Sequence, residues 1–253
     1  MIKIENVEVV GVEHAIRGMR NPKNSWSRMD SFHCYDIDCD SCKERRDDSY
    51  EDCPWECAPK DMCYEELILG KNDRKLMMDL VAGGPVHAKY RRMIVVYVDI
   101  TAPLYWWKEF DTYRIGVEKN SCSTMHKIHD KEFTLDDFSC EHLDTLTKDI
   151  YVQHIVPTLN LYRKLYNEAD VKLKRKDLTE AERKHVMAQR KHFWWQMIQL
   201  LPSSYNQKRT VMLNYEVLVG MYKWRKNHKL DEWVELSKWI ESLPYSEIIT
   251  GGE

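Results

Sequence analysis

An arginine followed by a run of amide and hydroxyl side chains is the segment of this sequence best suited to ligand chemistry. Arg114 precedes Asn120, Ser121 and Ser123, and the run YWWKEFDTYR leads into it. A guanidinium can pair with a phosphate or stack on a ring, and hydroxyls donate and accept hydrogen bonds. We therefore interpret the segment as a candidate polar pocket, with a solvated turn as the alternative. The acidic residues that could instead pair with Arg114 are Glu109, Asp111 and Glu118.

Other chemically capable residues lie outside this segment. His87 and His126 could titrate near neutral pH, although a lone histidine is more often structural. Cys122 has no base nearby in the sequence to make it a nucleophile. Arg225 stands among aromatic and basic residues, and the alternative to a ligand-binding role is an exposed basic helix face. The sequence contains no G-x-G-x-x-G, P-loop or H-E-x-x-H motif, so a Rossmann, NTPase or zincin interpretation has no support.

Composition sets broad limits on the class of protein. The 253 residues are 43% hydrophobic and 31% charged, which is typical of a globular protein with a buried core. A net charge of −3 argues against binding nucleic acid by electrostatics, and the longest apolar runs are shorter than the roughly 18 residues of a membrane span. The start MIKIENVEVVGVEHA alternates like a first strand and does not resemble a signal peptide. We therefore expect a cytoplasmic protein without membrane or nucleic-acid partners.

Six of the eight cysteines fall within thirty residues, in an acidic segment. Clustered cysteines in a cytosolic protein favour metal over disulfides, but only one tight C-x2-C pair occurs. We expect a cysteine-bearing insertion at about residues 30–65 without metal, and keep structural zinc or an iron–sulfur site as the alternative. The candidate ligands for such a metal are Cys39, Cys42, Cys53 and Cys57.

Periodicity predicts an α+β fold. We predict a strand that ends near His14, a helix from Asp73 to the Gly83-Gly84 stop, and a strand over 91–100 that Ala102-Pro103 ends. The aromatics of 104–114 predict a short helix, and the segment after it a turn.

The C-terminal half is predicted to be mainly helical. We expect one helix from 141, kinked at Pro157, and a second that opens with the capping box Thr179-x-x-Glu182. An extended piece over 204–214 then leads into a single long helix over 214–243. The absence of a linker or repeat predicts one domain over 1–253.

The order of these features resembles the flavin-dependent thymidylate synthase family over about residues 80–240. A Gly-His turn precedes a strand, Ala-Pro, an aromatic helix and an arginine-led polar loop. The family's Leu-Pro, N-x-R-x-L and helical L-R then match in register and without a gap. In this sequence they are Leu201-Pro202, Asn214-Tyr215-Glu216-Val217-Leu218 and Trp224-Arg225.

The family signature R-H-R-x-x-S-x-N-E-x-S-x-R is altered in this chain. Counting from Ala102-Pro103, Arg114 falls on the second arginine, with Tyr113 in place of the histidine and Thr112 in place of the first arginine. With one inserted residue, the remaining positions are Asn120 for the asparagine, Ser121 for the glutamate, Ser123 for the later serine and Met125 for the last arginine.

The resemblance implies an antiparallel sheet with long helices and a homotetramer with FAD. It implies reductive methylation of dUMP to dTMP with NADPH and methylenetetrahydrofolate as co-substrates. Arg225 would contact the pyrimidine and act in catalysis, and Ser123 would lie near the nucleotide phosphate. The residues that the resemblance assigns to FAD are His87, Arg114, Asn120, Ser121 and Asn214.

Three arginines of the family are missing, at Met125, Ile198 and Glu216. Methionine cannot replace the bidentate phosphate contact of arginine, so dUMP would bind poorly unless other cations substitute. Two alternatives therefore stay open: a flavin- or nucleotide-binding relative that acts on another pyrimidine, and a non-catalytic protein that keeps the fold and binds metal or a partner. The basic residues that could substitute are Lys119, His126, Lys127, Lys208 and Arg209.

Overall fold

The computed structural model describes residues 2–34 and 66–252. These residues form two compact units: a first over 2–8, 96–213 and 220–242, and a second over 9–34, 66–95, 214–219 and 243–252. Most of the predicted cysteine-bearing insertion, including all four candidate metal ligands, lies outside the described residues. The single domain over 1–253 stays a prediction.

The described part of the chain contains both strands and helices. The strands are β1 (Lys3–Val10), β2 (Phe32–Cys34), β3 (Glu66–Ile68), β4 (Val95–Pro103), β5 (Val117–Ser121) and β6 (Asn206–Asn214). The α-helices are α1 (Val12–Arg20), α2 (Lys71–Ala82), α3 (Leu104–Phe110), α4 (Thr124–Lys127), α5 (Thr145–Ile150), α6 (Val156–Leu173), α7 (Glu180–Leu200), α8 (Tyr215–Arg225), α9 (Asp231–Glu241) and α10 (Glu247–Thr250). None of the described helices is long and apolar enough to cross a membrane.

The first unit contains most of a four-stranded antiparallel sheet in the order β1-β4-β6-β5. Central β4 alternates buried and less buried residues, and its β-branched and small side chains fill the core. The strand ends at Pro103, as predicted, and α3 follows at once. These observations confirm the predicted α+β fold with an antiparallel sheet and long helices.

Strand β5 corrects the prediction of a turn after Arg114. The segment VEKNS pairs antiparallel with β6, so that Val117 lies opposite Leu213 and Ser121 lies opposite Arg209. Lysine and asparagine have little intrinsic preference for strands, which is why the sequence pattern missed it. Pairing with the extended segment of β6 supplies the backbone hydrogen bonds that the pattern does not reveal.

The long helices of the first unit are α6 and α7, which pack on each other. Helix α7 opens with the predicted capping box, in which the Thr179 hydroxyl and the Glu182 carboxylate each accept a hydrogen bond from the other residue's backbone N–H. The predicted helix from 141 begins at Thr145 instead, and a π-helical turn over Tyr151–Ile155 interrupts it before Pro157. Because proline has no N–H, the ladder cannot continue regularly there.

The single helix predicted over 214–243 is two helices. Helix α8 ends at Arg225 and α9 begins at Asp231. Between them the backbone N–H of His228 donates to the Arg225 carbonyl at 3.0 Å, and its ring Nδ1 accepts from the Leu230 N–H at 3.2 Å. His228 is thus the hydrogen-bond partner of backbone groups on both sides of the break between the two helices.

The second unit holds α1, α2 and the two-stranded ladder of β2 and β3. Strand β1 ends at Val10, not near His14, because Gly11 takes a left-handed conformation with φ of 87°. A Cβ at Gly11 would lie 2.2 Å from the Met93 carbonyl oxygen, so only glycine fits this turn into α1. Helix α2 runs from Lys71, two residues before the predicted start, to Ala82.

Candidate functional site

Helix α3 of the first unit carries the buried aromatic side chains next to the site. Its Trp106, Trp107 and Phe110 side chains are at most 1% exposed, and the Trp107 Nε1–H donates to the Gln207 carbonyl at 2.9 Å. The helix begins directly after Pro103, and its aromatic residues recur at three- and four-residue spacing, which places them on one buried face. The polar residues at the end of α3 therefore have a rigid support.

The first polar group at this end is the Arg225 cluster, which comprises Arg225, Glu109, Tyr113, His228 and Trp233. The Arg225 guanidinium donates through Nη1 to the Glu109 carboxylate at 2.8 Å and through Nε to the Tyr113 hydroxyl at 3.1 Å. It lies 4.7 Å from the Trp233 ring centre, and the Trp233 Nε1–H also donates to Glu109, at 3.0 Å. The Arg225 side chain is 21% exposed. An exposed basic helix face is therefore the wrong description of this residue.

The second polar group is the Asp111 cluster, which comprises Asp111, Lys119, Arg209, Trp107 and Phe110. The Asp111 carboxylate binds both Lys119 Nζ, at 2.8 Å, and Arg209 Nη1, at 2.9 Å. Arg209 lies 4.2 Å over the Trp107 ring, and Lys119 lies 5.6 Å over the Phe110 ring. Although burial raises the pKa of the Asp111 carboxyl, the hydrogen bonds and charges of these two cations hold it below its usual value.

Helix geometry explains why neighbouring acids serve different clusters. Glu109 and Asp111 are two residues apart, which is about 200° around a helix. They therefore point away from each other, on either side of Phe110. Sequence reasoning named both only as partners for Arg114, but Glu109 binds Arg225 and Asp111 binds Lys119 and Arg209. The i, i+2 spacing was the available signal that the two acids could not share one partner.

The residues of the altered signature loop lie along β5 and α4. Arg114 is exposed and has no ion-pair or hydrogen-bond partner among the residues that the structure describes. Asn120 and Ser121 are exposed at the end of β5. The Ser123 hydroxyl accepts the His126 backbone N–H at 3.1 Å and so caps α4. The loop thus presents polar groups at the surface of the first unit.

Two predicted FAD residues belong to the second unit. His87 is exposed, and its backbone N–H donates to the Gly84 carbonyl at 2.9 Å. The Asn214 side-chain oxygen accepts the Val217 N–H at 3.1 Å, which is how asparagine caps a helix. The roles of both residues in cofactor binding stay predictions.

The two candidate substitute lysines outside the Asp111 cluster are paired with carboxylates. Lys208 Nζ lies 3.1 Å from Asp99 and 3.6 Å from Glu5. Lys127 pairs with Asp130 at 2.9 Å. Lys127 has one carboxylate beside it and Lys208 has two, so neither lysine leaves a net positive charge that could attract a phosphate. Within residues 2–34 and 66–252, no group of three or more His, Cys, Asp or Glu side chains could hold a metal ion.

The fold has relatives among solved structures, although no family model and no curated protein sequence matches the chain. Thymidylate synthase X from Helicobacter pylori, crystallised with FAD and dUMP, is similar with a TM-score of 0.56 and 13% identity over 98% of this chain and 96% of that chain. A second H. pylori structure, of flavin-dependent thymidylate synthase complexed with FAD and dUMP, gives 0.53 and 13% over 96% of each chain. The chain has the thymidylate synthase X fold. This confirms the fold that the resemblance implied.

The three positions that the resemblance matches to family arginines have other local roles in this structure. Met125 is 49% exposed, and its carbonyl accepts the Trp194 Nε1–H at 2.9 Å. Ile198 packs against the hydrophobic core of the first unit. Glu216 pairs with buried Arg91 at 2.8 Å in the second unit. None of these three side chains carries a positive charge that could pair with a phosphate.

Proposed function

We propose that this protein is a flavin-dependent enzyme of the thymidylate synthase type, which converts dUMP to dTMP. In the overall reaction a methylene unit from methylenetetrahydrofolate replaces the C5 hydrogen of the pyrimidine, which leaves as a proton. A hydride equivalent from NADPH completes the methyl group, and tetrahydrofolate and NADP⁺ are released. The carrying observation is the near full-length similarity to a fold that was crystallised with FAD and dUMP.

The residues of the first unit fit an anionic flavin cofactor. Arg114 is an exposed guanidinium with no carboxylate partner among the described residues, and exposed Asn120 and Ser121 follow it with amide and hydroxyl groups. A diphosphate and a flavin edge both need such donors. When bound, FAD would carry the two electrons of the reductant to the pyrimidine. His87 and Asn214 remain candidates from the resemblance.

Arg225 would bind and orient the pyrimidine ring. Glu109 and Tyr113 fix two of its nitrogen atoms, and stacking on Trp233 limits its rotation. A guanidinium held in this way can donate to a ring carbonyl without first losing side-chain freedom. Ser123 would lie near the nucleotide phosphate, where its hydroxyl can still donate because its oxygen only accepts from the helix cap.

We also propose the homotetramer that the resemblance implies. The α6–α7 pair leaves large apolar side chains at its surface: Leu161 is 53% exposed, Val171 64% and Met187 53%. Large exposed apolar side chains are candidates for burial in a protein interface. Light scattering coupled to size-exclusion chromatography tests the assembly, and a monomer at micromolar concentration would contradict it.

A second candidate function is chemistry on a pyrimidine without a 5′-phosphate. The observation that favours it is the loss of cations at Met125, Ile198 and Glu216. Binding of deoxyuridine as tight as that of dUMP would support this candidate over the first.

Flavin binding and turnover test the proposal in sequence. The purified protein should be yellow or should become so with FAD, and protein that stays colourless with FAD would contradict both candidates. Reduced flavin should then be reoxidised in a dUMP- and methylenetetrahydrofolate-dependent reaction. Arg225→Ala should lower kcat/KM for dUMP at least tenfold, the loss of one charge-assisted hydrogen bond. The matched control is Lys223→Ala on the same helix, which is exposed. Normal turnover by Arg225→Ala would refute the placement of the pyrimidine.

A further inference from the structure

The Asp111 cluster carries a surplus positive charge. One carboxylate, that of Asp111, faces the two cations Lys119 and Arg209. In contrast, each of the paired lysines Lys127 and Lys208 faces at least one carboxylate of its own. Among the lysine and arginine candidates for replacing the family arginines, only this pair leaves a net charge of about +1 among the residues that the structure describes. An anion placed there would be attracted and not merely tolerated.

The sheet register puts a hydroxyl beside these cations. Ser121 on β5 lies opposite Arg209 on β6, and Lys119 is two residues before Ser121 on the same face of the strand. Ser121 is exposed, and its hydroxyl has no hydrogen-bond partner among the residues that the structure describes. A guanidinium, an ammonium and a free hydroxyl on one sheet face are the donors that a tetrahedral anion requires.

The cationic groups are already fixed in place. Arg209 stacks over Trp107 at 4.2 Å, and its Nε donates to the Gln207 side-chain oxygen at 3.0 Å. Lys119 lies over Phe110 and is 19% exposed, and Arg209 is 14% exposed. A ligand would therefore meet ordered donors that reach solvent, and the entropic cost of binding would be small.

We propose that Arg209, Lys119 and Ser121 form a phosphate-binding subsite, with Asp111 as the internal anion that a phosphate would displace from the two cations. This rests on the proposed function for the identity of the ligand, because both the dUMP phosphate and the FAD diphosphate offer the required group. It moves phosphate recognition away from Met125, Ile198 and Glu216 and onto the β5–β6 pair.

Three variants of the full-length protein test the subsite. Lys119→Gln and Arg209→Gln should each weaken phosphate-dependent binding about tenfold, the effect of losing one charge-assisted hydrogen bond. Asp111→Asn should strengthen it several-fold, because it removes the competing anion while keeping the side-chain shape. The gain is the sharper result, since a purely structural role of Asp111 predicts a loss. The matched control is Lys127→Gln, which removes an exposed, paired lysine.

Isothermal titration calorimetry should compare ligands with and without phosphate: dUMP with deoxyuridine, FAD with riboflavin, and inorganic pyrophosphate alone. If the variants change only the ratio of the dUMP and deoxyuridine affinities, the subsite holds the substrate phosphate. If they change only the ratio of the FAD and riboflavin affinities, it holds the cofactor diphosphate. Pyrophosphate binding that follows the variants, in protein that binds neither FAD nor dUMP, would support the subsite while refuting the proposed function. Phosphate-dependent binding that is the same in Lys119→Gln, Asp111→Asn and wild type, or absent from wild type, would overturn the proposal.

Discussion

Replacement of Asp73 by asparagine should be among the most damaging single changes in the second unit. Asp73 and Arg20 form an ion pair in which the side chains are 0% and 3% exposed. The Asp73 Oδ1 accepts from Arg20 Nε at 2.7 Å and lies 2.6 Å from Nη2. Its Oδ2 accepts the backbone N–H groups of Asp30 and Ser31 and the Ser31 hydroxyl, at 3.0, 2.9 and 2.7 Å.

The magnitude follows from what the substitution leaves behind. Asparagine has one side-chain oxygen for donors that now use two, and its NH2 group would face other donors. Arg20 would remain buried as a cation without a counter-ion. Breaking a buried pair by removing one partner costs roughly 3–5 kcal/mol, and the retained amide oxygen puts the expected loss near the lower end, at about 3 kcal/mol.

The pH dependence gives an independent check. Burial raises the pKa of the Asp73 carboxyl, but the hydrogen bonds from Ser31 and Arg20 outweigh it and hold the pKa below its usual value. Since the folded pKa lies below the unfolded value of about 3.9, the stabilisation is fully present above that pH and is lost as pH falls through the folded pKa. The stability difference between wild type and Asp73→Asn should therefore be constant from pH 5 to 7 and shrink below about pH 4.

Urea unfolding followed by circular dichroism, with hydrogen exchange of the peptide 71–82, measures the effect. The matched control is Asp79→Asn on the same helix, whose 3.6 Å pair with Lys75 is 62% and 79% exposed and should change stability by no more than about 0.5 kcal/mol. A loss below 1 kcal/mol in Asp73→Asn, or a loss equal to that of the control, would refute the argument that the buried cation is left uncompensated.

Two further predictions concern the Arg225 cluster and the cysteines. Glu109→Gln should lower stability by only about 1 kcal/mol or less, because both partners reach solvent, yet should weaken dUMP binding by freeing Arg225 to rotate. Titration of dUMP beside a thermal melt separates the two effects, and unchanged dUMP affinity would contradict the positioning role. Elemental analysis of the purified protein should find no stoichiometric metal. A variant in which Cys39 and Cys42 are both replaced by serine should have the same metal content as wild type. Stoichiometric zinc or iron that this variant loses would establish the alternative.

Features with a local cause could be predicted from the sequence. The Thr179 capping box, the strand end at Pro103 and the aromatic face of α3 all depend on residues within about four positions of one another. Side-chain capping, the missing proline N–H and helical periodicity act over that range whatever the rest of the chain does. The fold implied by the family resemblance, which rested partly on the spacing of Leu201-Pro202 and Asn214-x-x-x-Leu218, was also confirmed.

The tertiary structure decided which charges meet. Arg225 finds Glu109 116 residues away, and Arg209 finds Asp111 across 98 residues, so no periodicity in the sequence links them. The segment VEKNS became a strand because β6 offered it a partner, not because of its own propensity. Residue types and spacing indicated only a candidate polar site near Arg114. The packing of α3 against β6 and α9 decided the ion pairs: Glu109 binds Arg225, whereas Asp111 binds both Lys119 and Arg209.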